Sequence, residues 1–156
     1  MKTTILVPLD LSDASLAALE YATDLAVSHE ASLHLLYVVD RAPYVVGPAG
    51  EYTAARIDRL IQEEGAKAKK ELEALGEDLR RHGFTVSVSV REGRPAAEIL
   101  KVAGELDPEL IAMGTRGRSG LRHVLLGSVA ESVMRKAAWP VLTLRTPAKP
   151  AKEKAA

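Results

Sequence analysis

Short apolar runs alternate with amphipathic segments along almost the whole chain, and this alternation restricts the fold more than any other feature of the sequence. Five runs have the apolar content of strands, and the segments between them have the three-to-four-residue apolar spacing of helices. The predicted strands are Ile5–Val7, Leu33–Val39, Phe84–Val90, Leu110–Met113 and Val141–Leu144. Strands that are separated by helices form a parallel sheet with helices on both faces.

Local signals mark where the helices begin and where the chain stays irregular. Ser12 is predicted to cap the first helix, with Asp13 in its first turn, and Pro95 is predicted to lie in the first turn of the third helix. Residues 40–50 contain two prolines and two glycines, and they predict a loop before a long charged helix.

The character of each strand indicates its place in the sheet. The first and fourth strands are short and fully apolar, which is typical of central strands. The third strand alternates apolar and polar residues, and the fifth contains Thr143, so both suit edges. We therefore expect a single doubly wound α/β domain over residues 1–146, with a five-stranded parallel sheet in the order 3-2-1-4-5 and right-handed crossovers. The Pro/Ala/Lys-rich residues 147–156 are predicted to be a disordered tail.

The predicted strand order reverses between the first and fourth strands. Open α/β sheets bind ligands in the crevice at such a reversal, beyond the carboxyl ends of the strands. Pro8 and Asp10 follow the first strand at this point, and the segment from Gly114 to Gly127 follows the fourth. The topology therefore places a ligand between these two loops.

The second of these loops has glycines at both ends. Gly114 and Gly117 follow the fourth strand, and Gly127 and Ser128 open the next helix. Glycine lets a ligand approach the backbone closely, and the free N–H groups at a helix start attract anions. Basic residues between the glycines, beginning with Arg116, either screen a phosphate group or form a solvated rim. The loop is a candidate phosphate site.

Composition excludes several other classes of function. The 21 Lys and Arg residues balance the 21 Asp and Glu residues, so no net charge favours nucleic acid or a membrane surface. The chain has no cysteine, which excludes disulfides, thiolate catalysis and cysteine-ligated zinc. No apolar run approaches the length of a membrane span. We expect a cytoplasmic protein with neither nucleic acid nor membrane as partner.

The glycine pattern Gly-x2-Gly-x9-Gly-Ser, which begins at Gly114, closely resembles the motif of the universal stress protein family. The segments Ile5–Asp10, Leu35–Val39 and Trp139–Leu142 are also similar to segments of that family, so the resemblance covers roughly residues 3–145. The family divides into members that bind ATP through this motif and members that lack the motif. The chain contains the motif complete, and the resemblance therefore implies ATP binding.

The resemblance also implies which residues contact the nucleotide. The aspartate that matches Asp10 holds the ribose hydroxyls, the backbone at Val38 pairs with the adenine edge, and Gly114 lets the chain pass near the ribose. The phosphates lie at the later motif residues and at the positive end of the following helix. The matched cofactor-binding positions are Pro8, Asp10, Val38, Met113, Gly114, Arg116, Gly117, Gly127, Ser128 and Val129. Mg²⁺ or Mn²⁺ is expected with the ATP, held by phosphate oxygens and water, without a protein metal site.

Two of these residues have an alternative structural interpretation. Ser128 and Glu131 have the spacing of a capping box, and in this interpretation Ser128 serves only the helix. Asp10 follows a strand and suits a simple turn. The sequence does not support two classes of ATP-using enzyme. The first loop lacks the Ser-Gly-Gly-x-Asp-Ser sequence of ATP pyrophosphatases, and the chain has no Walker A lysine motif.

We therefore predict an ATP-binding regulatory protein of the stress response, with at most slow ATP hydrolysis because no convincing catalytic base is present. The fifth strand is an apolar edge, and family members pair it across a two-fold axis, so a homodimer through this strand is expected. The alternative is a homodimer that binds an unknown protein partner and in which the nucleotide is structural or incidental.

Overall fold

The computed structural model describes residues 3–45, 53–115 and 126–145, and in these ranges the chain forms five strands and five helices. The strands are β1 (Thr4–Pro8), β2 (Ser32–Val39), β3 (Val86–Glu92), β4 (Leu110–Gly114) and β5 (Val141–Leu144). The helices are α1 (Asp13–His29), α2 (Ala42–Val45), α3 (Ala54–Arg81), α4 (Pro95–Leu106) and α5 (Ser128–Lys136). None of these helices combines the length and the apolar character that crossing a membrane requires. Arg116, Gly117 and the predicted tail lie outside the described residues.

The five strands form one parallel sheet in the order β3-β2-β1-β4-β5, which confirms the predicted order. β1 is central, and Ile5 lies in register with Leu33 of β2 on one side and Leu110 of β4 on the other. β3 and β5 are the edges, as their polar content indicated. The short apolar strands lie in the centre because helices cover both of their faces.

Two apolar layers hold the sheet, one on each face. Ile5 and Val7 of β1 belong to the layer with α1 and α3, and Leu6 belongs to the layer with α4 and α5. Side chains alternate along a strand, so one central strand contributes to both layers. Leu6 and Val7 are fully buried, and each such side chain contributes roughly 1.5–3 kcal/mol of hydrophobic stabilisation. The protein is a single α/β domain with helices on both faces of the sheet.

Two local predictions were wrong. The loop predicted for residues 40–50 contains the one-turn helix α2, in which the N–H of Ala42 donates to Oδ1 of Asp40 at 2.9 Å. Proline tolerates a first helical turn, so Pro43 fits a helix start as well as a loop.

The third strand begins two residues later than predicted. Gly83 has a φ of 94°, in the left-handed region, and the N–H of Phe84 donates to the carbonyl of Leu79 at 3.1 Å. This bond makes Phe84 part of the end of α3, although its side chain alternates in phase with the strand. At the other end β3 extends to Glu92, which lies in register with Val39.

Candidate functional site

A cleft of about 510 Å³ opens at the carboxyl ends of the central strands, where the strand order reverses. Its walls come from the ends of β1, β2 and β4, from α2 and α3, and from the N-terminal parts of α1, α4 and α5. The predicted site residues that line it are Pro8, Asp10, Val38, Met113, Gly114, Gly127, Ser128 and Val129. The other two predicted residues, Arg116 and Gly117, fall outside the described residues. The structure therefore brings together every predicted site residue that it describes.

Asp10 lies in the turn between β1 and α1, with its carboxylate held in place. The N–H of Ser12 donates to Oδ1 of Asp10 at 3.0 Å, and the Ser12 hydroxyl makes a second, short hydrogen bond to the same oxygen. Leu11 between them has a φ of 65°, an uncommon left-handed conformation for a branched residue. The turn therefore fixes the carboxylate of Asp10 at the cleft wall, which is compatible with both interpretations of this residue.

Gly114 ends β4 against the backbone of α1. A Cβ atom at Gly114 would lie 2.8 Å from the carbonyl carbon of Ala14 and 2.9 Å from its oxygen, closer than real contacts allow. The close packing of α1 on the end of β4 therefore requires glycine at this position. Sequence reasoning assigned this glycine to the ribose alone and missed the packing.

The start of α5 corrects the prediction for Ser128. Gly127 is the N-cap, and the N–H of Glu131 donates to its carbonyl at 2.9 Å. Among the described residues no side chain caps this end, and Ser128 is the first helical residue, with an exposed side chain. The alternative capping-box interpretation is wrong because the helix begins one residue earlier than that motif requires, with Gly127 and not Ser128 at the N-cap. The first N–H groups of α5 have no intrahelical acceptors, and this end of the helix lines the cleft.

Thr115 joins β4, β5 and α5 at the cleft. Its N–H donates to the carbonyl of Leu144 at 2.9 Å, and its carbonyl accepts from the N–H of Gly127 at 2.5 Å. Its side chain is buried, and Oγ1 has no hydrogen-bond partner among the residues that the structure describes. No motif position marks this residue, and sequence reasoning missed it.

A tyrosine–glutamate cluster forms another part of the wall. The hydroxyl of Tyr37 donates to Oε1 of Glu64 at 2.8 Å, and the hydroxyl of Tyr44 makes a short hydrogen bond to Oε2. These residues come from β2, α2 and α3, and all three line the cleft. Nothing in the sequence indicates that they meet, because the contact depends on how α3 packs across the sheet.

Arg41 holds the start of α2 from outside the cleft. Its guanidinium donates to Asp58 at 2.6 Å and to Glu92 at 2.7 Å. The hydrogen bonds to Asp58 and Glu92 raise the pKa of Arg41. These groups are exposed, so the pairs contribute little stability, and their effect is to position α2 between α3 and β3.

His34 is a second polar centre, away from the cleft lining. Its two ring nitrogens each lie 2.7 Å from a serine hydroxyl, Ser87 on one side and Ser89 on the other. Burial and the nearby charge of Arg91 lower the pKa of His34, while Glu105 raises it. Among residues 3–45, 53–115 and 126–145, no three His, Asp or Glu side chains converge as metal ligands.

Comparison with known proteins agrees with this fold. The family model described as "Universal stress protein family" matches residues 1–145. The universal stress protein MJ0531 of Methanocaldococcus jannaschii is 40% identical over 145 residues, which span 93% of this chain and 83% of that protein.

Solved structures show the same architecture. The structure of MJ0577 from the same archaeon superposes with a TM-score of 0.82 at 29% identity, covering 96% of this chain and 99% of that one. A universal stress protein of Archaeoglobus fulgidus, solved in complex with dAMP, shares the fold at 20% identity, with a TM-score of 0.60 and coverage of 92% and 97%. On the family match and the identity to MJ0531, this chain belongs to the universal stress protein family.

Proposed function

We propose that this universal stress protein is a regulatory protein that binds ATP in the cleft and acts in the cytoplasm. The observation that carries the proposal is that the uncapped start of α5 lines the same cleft as Asp10 and Val38. A helix start with free N–H groups binds phosphate, and a carboxylate at a strand end binds ribose hydroxyls. The cleft volume lies in the range of small-molecule sites.

Each part of ATP has a proposed partner. The backbone of Val38 receives the adenine edge, and Asp10, fixed by Ser12, receives the ribose. Gly127, Ser128 and Val129 receive the phosphates, together with Gly117 and Arg116 of the motif. Pro8, Met113 and Gly114 line the cleft between these parts. In this assignment residues 1–146 are the binding domain and residues 147–156 are a tail.

Mg²⁺ or Mn²⁺ accompanies the ATP in this proposal. Because the described residues offer no cluster of three metal-ligating side chains, the phosphate oxygens and water would supply most of the coordination. The cation would neutralise phosphate charge that the helix start alone does not balance.

The proposal assigns regulation and not catalysis. The carboxylates of Asp10, Asp40 and Glu64 line the cleft, and each accepts a hydrogen bond from a neighbour: from Ser12, Ala42 and Tyr37 respectively. Because each of these carboxylates is already engaged by a neighbouring donor, we assign none of them as a general base. We expect ATP hydrolysis to be slow at most. The dAMP complex of the Archaeoglobus fulgidus relative supports an adenine nucleotide as the class of ligand.

Calorimetry on nucleotide-free protein tests the proposal. MgATP is expected to bind at one site per chain and more tightly than MgGTP, because the adenine edge is read by the Val38 backbone. Mass spectrometry of small molecules released from the purified protein provides an independent check. An absence of heat with MgATP at high protein concentration would refute ATP binding. FMN among the molecules released from the purified protein would refute it equally, because the cleft would then bind a flavin.

The second candidate is a homodimeric partner-binding module in which the nucleotide is structural or incidental. Its supporting observation is β5, an edge strand whose side chains are all partly exposed. The carbonyls of Pro140 and Leu144 accept hydrogen bonds from the β4 side, so the alternating backbone groups of Val141 and Thr143 point outward. An antiparallel copy of β5 would pair with these outward groups.

Sedimentation of nucleotide-free protein tests this second candidate. A dimer at tens of micromolar is expected, and Thr143→Pro should shift it to monomer by removing an outward N–H group. A parent that sediments as a monomer at that concentration rules the dimer out. A dimer that forms only with ATP would favour the first proposal.

A further inference from the structure

The hydroxyl of Thr115 lacks a hydrogen-bond partner within residues 3–45, 53–115 and 126–145. Thr115 is 6% exposed, and its Oγ1 is the one buried side-chain oxygen or nitrogen in the described part of the chain without a partner. Both main-chain groups of this residue are satisfied, through Leu144 and Gly127. Burying a hydroxyl without a partner lowers stability, and valine has nearly the same shape with higher strand propensity. Packing alone therefore does not account for threonine at this position.

The position of Thr115 indicates what the hydroxyl could bind. Thr115 lines the cleft directly after β4, and its carbonyl is bonded to Gly127, the N-cap of α5. A phosphate group seated on the free N–H groups of α5 would lie beside Thr115. A threonine hydroxyl donates readily to an anionic oxygen, and such charge-assisted hydrogen bonds are stronger than neutral ones.

We propose that Thr115 is a phosphate-binding residue whose hydroxyl donates a hydrogen bond to a phosphate oxygen of the bound nucleotide. This inference rests on the proposed function, and it adds a side-chain donor to the backbone donors at the start of α5. A phosphate acceptor would satisfy the unpartnered hydroxyl.

The test is Thr115→Val, with ATP and adenosine titrated separately into nucleotide-free protein. ATP affinity should fall about tenfold, equivalent to about 1.4 kcal/mol, because one donor to a charged oxygen is lost. Adenosine affinity should stay unchanged, because adenosine has no phosphate. Thr115→Ser retains the hydroxyl and should keep the affinity for ATP.

The melting temperature of the nucleotide-free protein gives a second readout, in which Thr115→Val is expected to cause a gain and not a loss. Thr115→Val should raise it by about 2–4 °C, because an unsatisfied buried hydroxyl is removed. Thr4→Val is the matched control, since Thr4 lies at the opposite end of the sheet and its Oγ1 is 3.0 Å from the hydroxyl of Ser32. That change should lower the melting temperature and leave ATP affinity unaltered.

Each other result has a definite meaning. If Thr115→Val binds ATP as tightly as the parent, or loses ATP and adenosine affinity equally, Thr115 is not a phosphate ligand. A melting temperature that falls in Thr115→Val shows that the hydroxyl has a structural partner and overturns the inference. A parent that binds no ATP refutes the proposed function itself, and this inference with it.

Discussion

Gly114 and Gly127 belong to one sequence motif and line one cleft, but the structure constrains them in different ways. The space beside Gly114 is occupied by α1, because a Cβ atom at this position would collide with the backbone of Ala14. Gly127 has a φ of −67° and a ψ of 156°, an extended conformation that any residue adopts. Backbone conformation therefore does not require glycine at position 127. The comparison teaches that one motif can combine a glycine that packing requires with a glycine that the backbone conformation does not require.

Gly127→Glu should have the largest effect of these variants. It should lower ATP affinity and leave the stability of the fold unchanged. The new carboxylate would stand where the phosphates are proposed to bind, so ATP affinity should fall by about a hundredfold or more, or about 2.7 kcal/mol. The fold should persist, since the backbone conformation suits glutamate and a helix start tolerates negative charge. Titration calorimetry and a thermal melt measure the two effects.

Gly127→Gln is the control, with the same size and no charge. Its loss of affinity should be much smaller than that of the glutamate variant. Equal ATP affinity in the parent and in Gly127→Glu would remove Gly127 from the phosphate site and end the contrast with Gly114.

Gly114→Ala should act on stability even without nucleotide. Overpacking against Ala14 should cost about 1–3 kcal/mol. Urea unfolding followed by fluorescence of Trp139 measures this cost, and Trp139 is the single tryptophan of the chain. Gly104→Ala is the matched control, because a Cβ there would meet Trp139 at an ordinary 3.9 Å and should leave stability equal or higher. Unchanged stability of Gly114→Ala would show that α1 yields easily, and the scaffold role would fail.

His34, which is not among the residues that line the cleft, allows the stability measurement to be checked at a third position. Its pKa is lowered in the fold, so the unfolded chain binds the proton more readily below the usual pKa of 6.5. The stabilisation linked to this residue is therefore complete above pH 6.5 and is lost as the pH falls below it, with a slope of at most about 1.4 kcal/mol per pH unit. His34→Gln should flatten the pH dependence of unfolding between pH 7 and pH 5, relative to the parent. An identical slope in both proteins would contradict the lowered pKa.

Tyr44→Phe tests whether the far wall of the cleft matters to binding. Removing the hydroxyl breaks the hydrogen bond to Glu64 and should cost about 1 kcal/mol of stability. ATP affinity should fall a few-fold, because α2 loses an anchor to α3. Tyr21→Phe, on the exposed surface of α1, should change neither quantity. If Tyr44→Phe behaves like that control, the cluster has no part in the site.

Ser128→Ala should have the smallest effect on stability. Ser128 does not cap α5, so the free energy of unfolding should change by less than about 0.5 kcal/mol. ATP affinity should still decrease measurably if the hydroxyl contacts phosphate. Ser12→Ala is the comparison, because Ser12 does cap α1 and its loss should cost about 1 kcal/mol. A similar cost at Ser128 would restore the capping interpretation.

Sequence patterns predicted most of the architecture because they report burial directly. The apolar runs Ile5–Val7 and Leu110–Met113 identified the central strands, and the alternating third strand identified an edge. The strand order then indicated the position of the cleft, and the described motif residues do line it. The finer predictions failed where a boundary moved by one or two residues, as at Ser128 and Phe84. Helix ends depend on a few competing hydrogen bonds, and local sequence does not decide between them.

By itself, the sequence determined the strand order, the position of the cleft and the motif that lines it, because hydrophobic periodicity and glycine spacing are local properties of the chain. Only the tertiary structure decided that Gly114 is required by Ala14, that Glu64 binds two tyrosines, and that the hydroxyl of Thr115 has no partner in the described part of the chain. These properties arise between segments far apart in the chain. They are set by how closely helices pack on the sheet, a distance that no single segment encodes.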